Sequence, residues 1–193
     1  MIPRHLSIAV GVMLAVVLAM SFYLRSMRRR ATDIQPPAAD SRPIAPPAAG
    51  PTEPVTLYVA DDASGVVRPR PAKIPLPSGR QQRAEELLRA LLRIYQQPDS
   101  PHPLPAAADV RSIYLISSGA AVIDLNAPFA DQHRSGILDE QLTVNSLVET
   151  LAKNIPEIYR VRILVDGKTR DTLAGHVDLT DFFDVSAVAQ SGL

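Results

Sequence analysis

Residues 6–24, LSIAVGVMLAVVLAMSFYL, form one uncharged apolar run, and Arg25, Arg28, Arg29 and Arg30 follow it at once. A helix of this length, rising ~1.5 Å per residue, reaches about 28 Å, close to the hydrocarbon thickness of a bilayer. Such a helix satisfies its own backbone hydrogen bonds, which lipid cannot do. A cleaved signal peptide would have a shorter apolar stretch and a small-residue cleavage site, and Ser21-Phe22-Tyr23-Leu24 before arginines offers none. A buried helix of a soluble domain would show a polar face, and this one has none. The run therefore reads as a single transmembrane anchor, with residues 1–30 forming the anchor and its basic flank. Phe22 and Tyr23 suit the membrane interface, and the arginines can snorkel to headgroups. By charge alone, four arginines downstream against Arg4 upstream would place the C-terminal part in the cytoplasm.

Residues 31–54 come next. Seven of these 24 residues are proline and six are alanine, a composition that builds no core and lacks donors for regular ladders. They read as a semi-extended spacer holding a domain off the membrane. Residues 55–185 are long enough for one domain with its own core, and residues 186–193 read as a disordered tail. The whole chain is neutral, with 20 basic and 20 acidic residues, but five of the arginines fall in residues 1–30. The folded part is thus mildly acidic, which argues against nucleic acid as a partner. There is no cysteine, so disulfides and thiolate metal sites are excluded.

Val55–Ala60 alternates and is rich in β-formers, and Val66–Leu76 returns as an edge strand, where Pro69, Pro71 and Pro75 are tolerable. Ser78 and Gln81 have capping-box spacing, which predicts a helix from there to about Gln97 with Ala84, Leu87, Leu88, Leu91, Leu92 and Tyr95 on its apolar stripe. Pro98–Pro105 is a proline-rich loop. Arg111–Ser117 and Ala120–Leu125 predict a hairpin about Ser118-Gly119. Ile137–Asn154 predicts a second amphipathic helix with Leu138, Leu142, Leu147, Val148 and Leu151 buried, followed by a strand over Tyr159–Val165, an Asp166-Gly167 turn and short strands near Val177–Phe183. The fold class is α+β: a mixed β-sheet with two helices packed on one face, preceded by the transmembrane helix.

No HExxH, Gly-rich phosphate loop or G-x-S-x-G occurs. His5, His102, His133 and His176 are scattered, without metal-ligand spacing. The local pair His176/Asp178 would face one side of an extended segment, and a metal there would need Asp166 or Asp171 as a third ligand. The stronger reading is a loop histidine satisfied by backbone groups. Asp124, a carboxylate in the apolar strand Val122–Leu125, reads as a cap on the turn Asn126-Ala127-Pro128 in preference to a general base of shifted pKa. Ser117-Ser118 has no base nearby in the sequence, so nothing marks a nucleophile.

Three segments in order carry a resemblance. Gly119-Ala120-Ala121-Val122-Ile123-Asp124-Leu125 with Phe129, then Leu142–Leu151, then Val161–Gly167 followed by Leu173-Ala174-Gly175-His176-Val177-Asp178-Leu179, are similar to the hairpin, helix and "V-x-x-L-V-D-G…L-x-G-H-x-D" ending of GerMN domains, the sporulation and spore-germination family. The resemblance spans about Val55 to Phe183. It implies a small α/β module without established catalytic residues, cofactor or metal, on a bacterial protein anchored outside the cytoplasmic membrane. It also implies docking on protein partners or peptidoglycan, and self-association as a homo-oligomer. On it, Gly119, Asp124, Asp166, Gly167, Gly175, His176 and Asp178 are structural positions, and the domain is extracytoplasmic despite the charge flanks. The rival readings are a ligand-binding or metal-dependent hydrolytic domain using the His176/Asp178 corner, and a cytoplasmic membrane-tethered adaptor.

Overall fold

The structure, a computed structural model, describes residue 20 and residues 50–191 apart from residue 117. The expected anchor, Met20 excepted, and the linker up to residue 49 lie outside the described residues. Among the described residues, no helix is long and apolar enough to cross a membrane. The chain divides into residues 1–47 and 48–193, and all the strands and helices described below belong to the second unit.

Strand β1 (Thr52–Asp61) pairs antiparallel with β2 (Val66–Pro75). The backbone N–H groups of Thr56, Tyr58 and Ala60 turn away from β2 and donate to Asn154 Oδ1 (3.4 Å), Thr150 Oγ1 (2.9 Å) and the Tyr95 hydroxyl (2.8 Å). Their cross-strand neighbours Pro71, Pro69 and Val67 therefore also point their backbone groups outward. Pro75, opposite Thr52, continues the pattern. The three prolines thus stand where the ladder requires no donor, and they blunt the free edge of β2 against strand addition.

Helix α1 (Arg80–Tyr95) buries the expected stripe, Ala84 through Tyr95. Its start differs from the expected capping box. Gly79 is the N-cap, Ser78 pairs through N and Oγ with Gln82 Oε1 (2.8 and 2.7 Å), and Gln81 donates to the Ile113 carbonyl. Both Ser78 groups donate to the one Gln82 oxygen, so no reciprocal box forms, and Gln81 reaches across to a strand instead.

Strands β3 (Val110–Ile116), β4 (Ala120–Leu125), β5 (Arg160–Val165) and β6 (Phe183–Asp184) form a second sheet in that spatial order. The β4–β5 pair is parallel and the other two are antiparallel, so this sheet is mixed. Ile113, Ile123 and Ile163 lie in register on its inner face, all fully buried, in the same apolar cluster as the stripes of the helices. The other face carries Tyr114, Val122 and Arg162 and stays partly open. The single sheet expected from the sequence is therefore two. The reason is local: β1's outward donors are taken by helix side chains, leaving no free ladder to join β3.

Helix α3 (Ile137–Asn154) has the expected bounds but not the expected exposure. It is buried almost all round, between β1, β2, α1 and a C-terminal helix, α4 (Val185–Ser191). Leu138, expected in the core, is exposed, whereas Thr143, Ser146 and Thr150 are fully buried. Its polar residues are not a solvated face; Thr150 and Asn154 satisfy β1. A one-turn helix, α2 (Ala127–Asp131), was not foreseen, and residues 186–191, expected in the tail, are helical as part of α4.

Candidate functional site

The β3–β4 turn places Gly119 at φ +72°, a region favoured by glycine. A Cβ there would also strike the Tyr159 ring and sit 2.7 Å from the Glu157 carbonyl oxygen, so no side chain fits. At the end of β5, Asp166 (φ +50°) and Gly167 (φ +71°) form a tight turn. Asp124 is buried and accepts the Gly167 N–H at 2.7 Å. Arg111 links the two acids, its Nη1 donating to Asp166 at 2.8 Å and its Nε lying 3.8 Å from Asp124. Asp124 was expected to cap the turn that follows it; that turn is capped by Asn126, whose Oδ1 accepts from Phe129 N at 3.1 Å. Parallel pairing of β4 with β5 is what carries Asp124 to a turn 43 residues away.

The loop after this turn converges on Glu140, in the first turn of α3. This side chain is fully buried. Its Oε2 accepts N–H bonds from Ala174 (3.0 Å), His176 (3.1 Å) and Val177 (2.9 Å), and its Oε1 meets His176 Nδ1 at 2.9 Å. Burial alone would raise its pKa. The Val177 N–H, the His176 ring and the N–H groups of Ala174 and His176 overcome that and hold the acid at about 2. Gly175, at φ +122°, lets the backbone wrap the carboxylate.

Ser135 Oγ also approaches His176 Nδ1, at 3.4 Å. Serine and glutamate thus meet the same ring nitrogen, so no proton relay from hydroxyl through imidazole to carboxylate runs here; that requires both nitrogens. Asp178 does not join this corner. Its Oδ1 accepts from Thr180 N (2.7 Å) and Thr180 Oγ1 (2.6 Å), and the Thr180 hydroxyl and then its N–H lower its pKa. The expected His176/Asp178 pairing is therefore absent, because the segment turns between them, and Asp171 is not among the polar contacts of His176.

A second constellation was not visible in the sequence. His102, from the proline-rich loop, is buried, with Nδ1 2.5 Å from Asp62 Oδ1 and Nε2 2.6 Å from Thr143 Oγ1. Acid, imidazole and hydroxyl stand in the order of a hydrolytic triad. Thr143, however, is fully buried and also meets His133 Nε2 at 2.7 Å, so no substrate carbonyl can approach its oxygen. Asp62, His102 and Asp139 offer ligand atoms within 4.8 Å of one another. Arg134 already donates to both Asp62 and Asp139, so a guanidinium neutralises these acids where a cation would have to bind. The surface hollow of about 360 Å³ lined by Arg70, Arg93 and Asp99 contains none of these groups.

Comparison with known proteins follows the same outline. A family model described as Germane: Sporulation and spore germination matches residues 56–171. Among solved structures, the tandem GerMN domains of the sporulation protein GerM from Bacillus subtilis are 22% identical, with a TM-score of 0.52 over 69% of this chain and 46% of that one. The chain thus spans about half of that tandem structure. The first GerMN domain of the same protein is 19% identical, with a TM-score of 0.49, covering 69% of this chain and 98% of that one. At these identities the likeness is one of fold. No curated protein sequence matches. The family match covers well over half of the chain, from β1 past the Asp166-Gly167 turn, and the chain belongs to the Germane family of sporulation and spore-germination domains.

Proposed function

We propose that this is a non-enzymatic, membrane-anchored envelope protein whose Germane domain is held off the membrane by the proline-rich linker and docks on protein partners or peptidoglycan outside the cytoplasm. One contrast carries the reading. The polar groups that could do chemistry are committed to backbone or to one another, while the outer face of the four-stranded sheet leaves large apolar groups exposed. Tyr114 is 57% and Ile116 44% exposed on β3. Toward β6 the same face is closed by Phe182, over which Arg160 and Arg162 stack at 4.8 and 5.6 Å. The apolar run 6–24 and its arginine flank support the anchor, and family membership supports the envelope setting.

The anchor is tested by replacing Val12 and Val16 with arginine. Each adds roughly 2.5–3.5 kcal/mol at a helix centre, so the double variant should leave the membrane fraction. Retention in membranes would refute the anchor. A reporter fused after Leu193 that is active only outside the cytoplasm supports the orientation; activity only inside makes the protein a cytoplasmic adaptor. Docking is tested by Tyr114→Asp, which should lose envelope cross-links while melting like the parent.

A further inference from the structure

The hydroxyl of Thr143 has one proton to give, and two histidine nitrogens face it. His133 Nδ1 lies 2.6 Å from the Arg134 carbonyl, which only accepts, so Nδ1 carries a hydrogen. His102 Nδ1 lies 2.5 Å from Asp62 Oδ1, and the other Asp62 oxygen accepts from Arg134. That acid is an acceptor, so His102 Nδ1 carries a hydrogen as well. Were both rings neutral, both Nε2 atoms would be bare, at 2.6 and 2.7 Å from the same oxygen. Thr143 could satisfy one and would turn a lone pair on the other. Its hydroxyl also points to the Asp139 carbonyl at 3.1 Å, a third claim on one proton.

A single added proton resolves the conflict. One ring then donates through Nε2 to Thr143, and Thr143 donates to the other ring. We propose that Asp62, His102, Thr143 and His133 form a proton-dependent latch, which ties the β1–β2 turn and the proline-rich loop to α3 while the two imidazoles share an added proton and releases them as that proton is lost. The latch joins segments 40, 41 and 10 residues apart, and two of its bonds are fully inside the protein. A second added proton is opposed by the other ring, 6.3 Å away centre to centre, and burial lowers the pKa of His133 further.

The groups that face the two rings are Asp62 from the β1–β2 turn, Tyr95 from α1 at 5.1 Å from His102, Arg134 from the loop before α3, and Asp139 and Glu140 from α3. Burial pushes the Tyr95 phenol up to about 12. The carboxylates, guanidinium and phenol that face the rings do not titrate between about pH 6.5 and 8, so the two histidines are the groups of this cluster that titrate there. The unfolded chain loses its imidazole protons near pH 6.5. Above that value the native chain holds one proton more than the unfolded chain, so its stability falls as pH rises. Below it the unfolded chain takes up two protons to the latch's one, so stability falls again toward acid.

Nitrogen-15 NMR of the imidazoles reads the count directly in the full chain in detergent. At pH 6.5 the two buried rings should appear as one imidazolium and one neutral ring protonated at Nδ1. Denaturant melts of the same chain carrying His176→Asn, which removes the other imidazole facing these acids, should show greatest stability near pH 6.5. The folding constant should fall about tenfold per pH unit from there toward pH 8, until the latch itself deprotonates. Thr143→Val should abolish that slope; if Thr143→Val does not fold, the NMR count in the parent decides. Two neutral rings at pH 6.5, or stability flat from pH 6.5 to 8, would overturn the proposal.

Discussion

Two carboxylate–histidine pairs sit at opposite extremes in this domain. In Glu140–His176 the acid is fully buried and the imidazole is 39% exposed. The carboxylate is the hub, gathering three backbone N–H groups from the loop and that of Gly136, and the histidine ring is one donor among five. In Asp62–His102 the exposures are reversed: the ring is 1% exposed and the acid 24%. There the histidine is the hub, with both nitrogens engaged, and the acid lies at the rim beside Arg134. The same pair of residue types thus builds a loop clasp when the acid is inside and a link between two distant segments and α3 when the ring is inside. Neither arrangement presents a reactive atom to solvent together with its partner.

Removing the buried hub of the clasp should have the largest effect. Glu140→Gln puts an amide NH₂ where N–H donors converge and leaves some of them unmatched, which should cost about 3 kcal/mol in denaturant unfolding. The pH dependence of the clasp has a fixed sign. The folded-state pKa of Glu140 is about 2, below its unfolded value of 4.5. Its contribution is therefore fully present above about pH 4.5 and lost as pH falls toward 2, on the order of 2–3 kcal/mol in total. Acid titration of Glu140→Gln should lack that part of the loss.

The hub of the second pair comes next. His102→Phe keeps the ring volume but strips both bonds, leaving Asp62 to Arg134 and Thr143 to His133. A loss of roughly 2 kcal/mol is expected, measured by thermal melts near pH 6.5. The peripheral member of the clasp should matter least. His176→Asn should cost under about 1 kcal/mol, because four backbone donors remain on Glu140 and the ring is partly solvated. If His176→Asn proved as damaging as Glu140→Gln, the contrast between hub and rim would fail.

Much of this contrast could not be read along the chain. The period of apolar residues located α1 and α3 closely, and Ser118-Gly119 and Asp166-Gly167 located the turns at Gly119 and Gly167, because both signals are local. The prolines of β2 identified an edge for the same reason. Glu140 looked like any acid in a helix's first turn, favourable to its dipole. Its loop partners lie 34 to 37 residues away. His176 and Asp178 looked paired because they are near in sequence, yet their side chains take separate partners. His102 sat in a loop whose prolines suggested only irregular structure. The polar positions of α3 imitated a solvated face because their true partners, the outward donors of β1, come from a strand some 92 to 98 residues earlier. Burial decided by tertiary packing is what periodicity alone cannot report.

Amide hydrogen exchange at Ala174, His176 and Val177 tests most directly whether the carboxylate–histidine corner holds backbone rather than serving a reaction. All three amides should be strongly protected in the parent, remain protected in His176→Asn and exchange at least tenfold faster in Glu140→Gln. Protection unchanged in Glu140→Gln, or a bound metal or hydrolytic activity that disappears in His176→Asn while the three amides stay protected, would contradict the account.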